Sequence, residues 1–302
     1  MADDKAFERH GSTEIRRLWR EFGWLQPTGT RASSIDDSER DISYPGMGHE
    51  LLVDFAHESF WSVHRRQLIL DSMRRHSCRA IWEVGAGTGD VAAFLQQNGV
   101  CTVALEPVGA GAKVLDERGI TTFQSTLEEM HLPSESLPSV GVFDVIEHLE
   151  HPMQLLKEVH RVLKPNGKLF LTVPAHQALW SVEDETSGHF RRYNRRTIKN
   201  LLQSEGFQIE SVSHFFSYLV PPAFFVRRML PRIRRTRERD LNHEVAIQLK
   251  PPRTVTAVLR LLGRLEARTL KLFTLPLGLS ILVVASKVGE KSEARVDYSA
   301  DC

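Results

Sequence analysis

Three glycines fall within five residues at Gly85-Ala86-Gly87-Thr88-Gly89, directly after the apolar run Ala80 to Val84 and directly before a helical stretch. Glycine accepts the left-handed backbone of a sharp turn, and its missing side chain lets the main chain approach a ligand closely. A helix that begins straight after the turn aims its unpaired N–H groups at the same spot. A strand leading into such a turn and helix reaches its next parallel partner only by a crossover, so this feature selects an α/β layer architecture. The chain keeps that rhythm. Short apolar runs predict strands at Ala80 to Val84, Cys101 to Leu105, Thr121 to Phe123, Val140 to Phe143, Lys168 to Val173, Phe207 to His214 and Ser280 to Ser286. Helical spacing fits Val91 to Gln97, Gly109 to Glu117, Pro152 to Leu163 and Arg196 to Ser204, with stops at Asn98-Gly99, Arg118-Gly119, Pro165-Asn166-Gly167 and Glu205-Gly206. The expectation is a doubly wound, seven-stranded, mostly parallel sheet.

Upstream, residues 1 to 45 are charged and turn-rich, with Ile15, Leu18, Trp19 and Phe22 at helical spacing. From Glu50 to Arg75 the pattern predicts one or two amphipathic helices. Hydrophobic residues at 41% and charged residues at 25% of the 302 residues exclude a disordered or fibrous chain. Cys78, Cys101 and Cys302 form no Cys-x-x-Cys pair, which removes a disulfide framework and a thiolate zinc site and suits a reducing, cytoplasmic setting. Met1 to His10 is too charged for a secretory signal, and the uncharged stretch Leu272 to Ser286 falls short of the ~20 residues that span a bilayer.

Spacing and charge narrow the ligand. A dinucleotide fingerprint reads Gly-x-Gly-x-x-Gly and welcomes a pyrophosphate, whereas this turn reads Gly-x-Gly-x-Gly behind the acidic Glu83. That disfavours a nicotinamide-dependent oxidoreductase. Glu106, at the end of the second strand, stands where a carboxylate accepts hydrogen bonds from ribose hydroxyls. S-adenosyl-L-methionine carries no phosphate, and its sulfonium and amino group suit nearby carboxylates.

Glu83-Val84-Gly85-Ala86-Gly87-Thr88-Gly89 resembles motif I of class I S-adenosylmethionine-dependent methyltransferases. Phe143-Asp144-Val145-Ile146-Glu147-His148-Leu149 is similar to their segment after the fourth strand, and Arg161 to Lys168 to their helix-to-strand turn. Phe60-Trp61 with Arg65-Arg66 resembles the helix before motif I, and Gly188-His189-Phe190-Arg191-Arg192-Tyr193 a loop of one bacterial branch acting on small metabolites, glycans and lipids. The resemblance implies a Rossmann-like S-adenosylmethionine-binding domain over residues 78–302 behind an arm and helical cap at 1–77. It implies that Glu83 and the backbone of Gly85, Ala86, Gly87 and Gly89 face the methionine part. Glu106 with Pro107 would hold the ribose, and Phe143, Asp144 and His148 the sulfonium side. The acidic residue that the family often places on the adenine is replaced by Ser125-Thr126-Leu127, so backbone amides around Thr126 and the Leu127 side chain are expected there. The family's lead into the fourth strand is here Leu137-Pro138-Ser139-Val140, to which no function is assigned.

The activity implied is methyl transfer to an O, N or C nucleophile of a small-molecule acceptor. Where that nucleophile is a hydroxyl or amine, a histidine accepts the proton, and the candidates at strand ends are His148 first, then His176 and His189. Asp144-x-x-Glu147-His148 resembles an acidic-histidine metal cluster of some quinone O-methyltransferases, but carboxylates at the positive end of a helix account for it, and no metal is expected. Neither His49-Glu50 nor His57-Glu58 forms His-Glu-x-x-His.

Residues 217–275 form a basic insertion, with thirteen Lys and Arg against four Asp and Glu, a net of +9, which leaves 26 against 34, a net of −8, elsewhere. Arg260, Arg264, Arg268 and Lys271 line one helix face and Val255, Val258, Leu262, Leu265 and Leu272 the opposite one, with Glu266 as an exception. Such a segment suits an anionic membrane surface, an acidic carrier protein or a phosphorylated acceptor. Nucleic acid is disfavoured, since no stacking aromatics are interleaved with the arginines. A non-catalytic cofactor-binding subunit that docks on a partner through this insertion is the alternative reading.

Overall fold

The computed structural model describes residues 59–229 and 252–289. The candidate helix around Ile15 to Phe22, the stretch from Glu50 to Glu58, the arginines from Arg232 to Arg239 and Cys302 lie outside the described residues.

β1 (Ala80–Val84) is buried along its whole length, as a five-residue apolar run must be when strands flank it on both sides. It pairs in parallel with β2 (Cys101–Leu105) and with β4 (Leu137–Phe143), in registers that set Val84 beside Leu105 and Val142. β3 (Thr121–Phe123) extends the sheet beyond β2, and β5 (Leu163–Pro174) follows β4, both in parallel. β6 (Phe207–Phe215) and β7 (Ser280–Lys287) complete the order β3-β2-β1-β4-β5-β7-β6, with β7 antiparallel to both neighbours. The doubly wound, seven-stranded, mostly parallel sheet is therefore present.

Helices cover both faces. On one, α4 (Pro152–Val162) buries Leu155, Leu156, Val159 and Val162 at helical spacing, and α6 (Arg195–Ser204) buries Ile198 and Leu202 against the same cluster. Full burial of each such side chain contributes about 1.5–3 kcal/mol. Asn194 starts α6 by accepting the amides of Arg196 and Thr197, both at 2.9 Å. On the other face, α1 (Phe60–Arg75) is capped by Ser59 and packs Leu68, Ile69 and Met73 into a second cluster with Val91 and Leu95 of α2 (Asp90–Gln97). α3 (Gly109–Glu117) sits beside α2 through Leu115.

Several boundaries differ from expectation, and β5, β6 and β7 each run one residue further, to Pro174, Phe215 and Lys287. β4 begins at Leu137 and not Val140, because Leu137 pairs with Leu163 before an irregularity that spans Pro138, a residue with no N–H for the ladder. α4 ends at Val162 and runs straight into β5, so β5 starts five residues before Lys168. In Pro165-Asn166-Gly167 it is Asn166, at φ 64°, that takes the left-handed conformation. α2 and α6 each begin one residue earlier than their apolar spacing suggests.

Of the insertion, α7 (Val220–Met229) and α8 (Arg253–Thr269) are described, with a short α5 (Val182–Thr186) earlier in the chain. α8 is fastened by Glu266, a buried carboxylate that accepts the amides of Phe216 (2.8 Å) and Ser217 (2.7 Å), the Ser217 hydroxyl, and Nε2–H of His64 on α1 (2.7 Å). Burial pushes this carboxyl up, but the hydrogen bonds outweigh it and hold Glu266 below the usual range.

Candidate active site

The order β2-β1-β4 places a topological switch point between β1 and β4, where connections leave in opposite directions and a crevice opens at the carboxyl ends of the strands. A cleft of about 480 Å³ lies there, within the size range of small-molecule sites. It is lined by Glu83, Gly85, Ala86, Gly87, Glu106, Pro107, Thr126, Leu127, Phe143, Asp144 and His148, eleven of the twelve residues that the resemblance marks for the cofactor.

The turn is built by backbone. Gly85 and Ala86 both donate to the Leu105 carbonyl, at 2.8 and 3.1 Å, which ties the end of β1 to the end of β2. Gly85 has φ 68°, and a Cβ on it would stand 2.8 Å from Cγ2 of Val145. Glu106 binds the two loops together, with Oε2 accepting from the Gly87 amide at 2.6 Å and Oε1 from the Val108 amide at 2.9 Å. Gly87, at φ 56°, has nothing within 4 Å of where its Cβ would be, so open space adjoins the backbone at the middle of the turn.

Gly89 is the twelfth residue, and its role is corrected. It does not line the cleft. At φ 79° it precedes α2, and a Cβ there would meet Cδ2 of Leu115 at 2.4 Å, so glycine is required for packing against α3.

Charge is concentrated on the wall. Glu83 is 3% exposed, its Oε2 has no hydrogen-bond partner, and burial pushes its carboxyl up to about 8 against the opposing pull of Arg65. Arg65 is a site residue that sequence reasoning missed. It pairs with Asp144, and its guanidinium lies 3.9 Å from Asp90, while Arg66 pairs with Asp90 at 2.9 Å. Asp144 also accepts from Thr172 Oγ1 at 3.1 Å and sits at φ 55°, a left-handed conformation that a non-glycine residue keeps only where its surroundings enforce it. Trp61 stacks on Phe216 at 3.7 Å and, with Ser62, places α1 on the same wall.

On the expected adenine side, Leu127 forms a fully buried floor. The Thr126 amide is already taken by the Glu129 carboxylate at 2.9 Å, and Thr126 Oγ1 accepts the Glu129 amide in return at 3.2 Å. The Thr126 amide is thus engaged within its own turn. Acidic side chains are present after all, a few positions later than the family pattern, with Glu128 on the lining and Glu129 behind it.

The three candidate histidines separate. His148 lines the cleft, and its ring meets that of His189 edge-on with centroids 4.6 Å apart. Burial first and His189 second push His148 down to about 4, which leaves a neutral imidazole at neutral pH. His189 stands one layer back. Its Nδ1 lies 2.8 Å from Oδ1 of the buried Asp184, and Arg192 Nε donates to the same oxygen at 2.7 Å. These bonds overcome burial and hold Asp184 well below the usual carboxylate range, so His189 Nδ1–H is the donor. His176 is not on the cleft. It stacks on His214 at 5.2 Å with planes 2° apart, and burial lowers its basicity.

Glu147, 1% exposed, has no hydrogen-bond partner on either carboxylate oxygen, and burial with the nearby Asp144 charge pushes it well above the usual range. One ligand atom from each of Glu147, His148 and His189 lies within 4.8 Å of the others. The trio read from sequence spacing had Asp144 in place of His189, but Asp144 is turned to Arg65.

A switch-point cleft bounded by a Gly-x-Gly turn, the buried Glu83 carboxyl and the Glu106 carboxylate at the end of β2 fits a class I, Rossmann-like site for S-adenosyl-L-methionine. Residues 67–212 match the family described as "Methyltransferase domain". A Mycolicibacterium smegmatis protein named as a probable S-adenosylmethionine-dependent methyltransferase is 26% identical over 186 residues, 60% of this chain and 72% of that protein. A Mycobacterium tuberculosis protein of the same description is 27% identical over 166 residues, 53% of this chain and 60% of that protein. In fold, the chain is similar to one in the Haloferax volcanii complex of the Trm112 methyltransferase activator with a methyltransferase (TM-score 0.52, 11% identity, 80% of this chain and 94% of that one). The chain carries an S-adenosylmethionine-dependent methyltransferase domain on the class I sheet order, an enzyme domain whose methyl donor is S-adenosyl-L-methionine.

Proposed function

We propose that the acceptor is a small molecule (a metabolite, glycan or lipid-linked compound) methylated on an oxygen or nitrogen whose proton leaves toward His148. The observation that carries this reading is the pairing of His148 on the cleft with His189, itself held by Asp184. The bound donor supplies an electrophilic methyl group on a sulfonium. The chain's own residues align the nucleophile, exclude water and take the proton. Neutral His148 accepts it at the cleft, and His189, whose Nδ1 is held by the Asp184 carboxylate, stands next to it. In this reading α1 is the described part of the cap expected within residues 1–77, and α7 and α8 are the described parts of the insertion expected at 217–275.

Incubation with labelled donor and fractionated metabolites is expected to put label into one acceptor fraction and to release S-adenosylhomocysteine. His148→Ala and His189→Ala should both lower kcat, and His189→Ala, one layer behind the cleft, should leave donor affinity in place. Normal turnover in both variants rules out the histidine route, and a product whose labelled methyl is bonded to carbon rules out an oxygen or nitrogen acceptor.

The same reading pairs Glu83 with the donor's amino group, which makes binding proton-linked. A carboxyl at about 8 in the folded chain against 4.5 ordinarily keeps its proton where the unfolded chain loses it, so the donor-free protein loses stability as pH rises through that window. Pairing with an ammonium needs the carboxylate, so donor affinity should rise about tenfold per pH unit up to roughly pH 8. Calorimetry in buffers of different ionisation enthalpy should show release of about one proton near pH 6.5. Glu83→Gln should abolish that release, and a flat affinity profile in the unaltered protein argues against the assignment.

A further inference from the structure

Ten of the thirteen large apolar side chains that are exposed among the described residues lie between Phe224 and Leu277. The segment 217–275 also carries thirteen of the chain's 39 Lys and Arg. On α8 these two features are sorted around the helix. At about 100° per residue, Gly263, Glu266, Ala267 and Leu270 fall on one side, and that side packs on the domain through His64 and Glu266. Val255, Val258, Leu262 and Leu265 fall on a second side and are 44%, 56%, 36% and 48% exposed. Arg260, Arg264 and Arg268 occupy the third, and Leu261 stands between the two outer stripes, 55% exposed. Among the described residues the helix thus turns Gly263, Glu266, Ala267 and Leu270 to the domain and leaves its apolar stripe exposed.

We propose that this face of α8, with Phe224 and Phe225 of α7 and with Leu272 and Phe273 after α8, docks the enzyme on an anionic lipid bilayer. An apolar stripe bordered by arginines matches the boundary between acyl chains and negatively charged headgroups, where long basic stems extend toward the phosphates. A second copy would bring one arginine stripe near another. A protein partner would bury an interface core that is ordinarily poor in charge. No helix of the described residues is long and apolar enough to cross a membrane, so the contact is peripheral. Through His64 the docked helix is fixed to α1, the helix that supplies Trp61, Ser62 and Arg65 to the cleft.

Co-sedimentation of the full chain with phosphatidylglycerol-containing vesicles tests this, with pure phosphatidylcholine vesicles and high salt as controls. Binding is expected only to the anionic vesicles and to weaken with salt. Reversing Arg260, Arg264 and Arg268 to Glu should weaken it about a hundredfold. Val258→Asp with Leu265→Asp should weaken it about tenfold or more, with donor affinity unchanged in both sets as the check on folding. Failure of the unaltered protein to bind anionic vesicles overturns the proposal, as does binding that the apolar substitutions leave unchanged. A protein that sediments as a dimer until Val258 and Leu265 are replaced, and that does not bind vesicles, assigns the face to a second copy instead.

Discussion

Glu106→Ala is expected to weaken S-adenosyl-L-methionine binding ten- to hundredfold. The carboxylate stands at the end of β2, buried, with one oxygen on the Gly87 amide and the other on the Val108 amide. Each oxygen keeps lone-pair capacity for a ribose hydroxyl, and hydrogen bonds to a charged acceptor contribute roughly 1.5–3 kcal/mol, which is the stated range of affinity. The substitution also frees two loop amides, but both border the cleft, so water can reach them and the cost to stability stays near 1 kcal/mol. Because the ribose is remote from the transferred methyl, ground state and transition state should lose the contact equally, so KM for the donor rises while kcat holds. Glu106→Gln keeps one carbonyl acceptor but presents N–H groups to an amide donor, and it should fall between the two. Calorimetry and donor-saturation kinetics measure these quantities. Unchanged affinity in Glu106→Ala removes the residue from the ribose role and leaves it as a brace between loops.

The parts of the site that were readable in the sequence are those enforced by local chemistry. A strand, a glycine turn and a helix adjoin in the chain, so Gly85 and Gly87 needed no tertiary information, and Glu106 followed from the fixed length of one strand-helix-strand unit. Interactions between distant segments left little trace. Arg65 and Asp144 are 79 residues apart, and an adjacent arginine pair on a helix does not show which carboxylate it will meet. His148 and His176 both follow strands, but His176 is diverted by stacking on His214 of β6, a strand whose place beyond β7 depends on the whole sheet order. Asp184, which orients His189, sat unread in an acidic run, although His189 and Arg192 follow it by five and eight residues and gave a usable signal. On α8, periodicity separated Arg260, Arg264 and Arg268 from Val255, Val258, Leu262 and Leu265, but Lys271 and Leu272 lie past the helix end at Thr269, and the spacing did not show which side would face the protein. Glu266, the one residue that broke the pattern, marks that side, because a buried carboxylate with four donors anchors the helix there.

Gly87→Ala and Gly89→Ala should separate binding from stability, although the two glycines are two residues apart and share a left-handed backbone. Either alanine meets the same conformational penalty, of order 1–2 kcal/mol. At position 87 that is nearly all, since nothing lies within 4 Å of the new methyl group, and the group projects into the open space beside the turn. Donor affinity should fall more than tenfold with only a small drop in the unfolding midpoint. At position 89 the methyl would stand 2.4 Å from Leu115 Cδ2 and 3.2 Å from Ile120 Cδ1, both in a cluster closed by Ala86, Ala92 and Ala104. Both side chains are buried, so displacing them by overpacking adds roughly 1–3 kcal/mol, for a total of about 2–5 kcal/mol. For a domain of this size that lowers Tm by roughly 5–15 °C, while affinity measured well below the transition should stay within about twofold. The clash also predicts a coupling. Leu115→Ala alone opens a cavity, which the methyl group added by Gly89→Ala partly fills, so the double variant should be more stable than the sum of the single losses by about 1 kcal/mol or more. Additive losses would show that Leu115 is not what excludes a side chain at position 89. Equal loss of affinity in the two single variants would return Gly89 to the cofactor's own contacts, against its position behind the cleft.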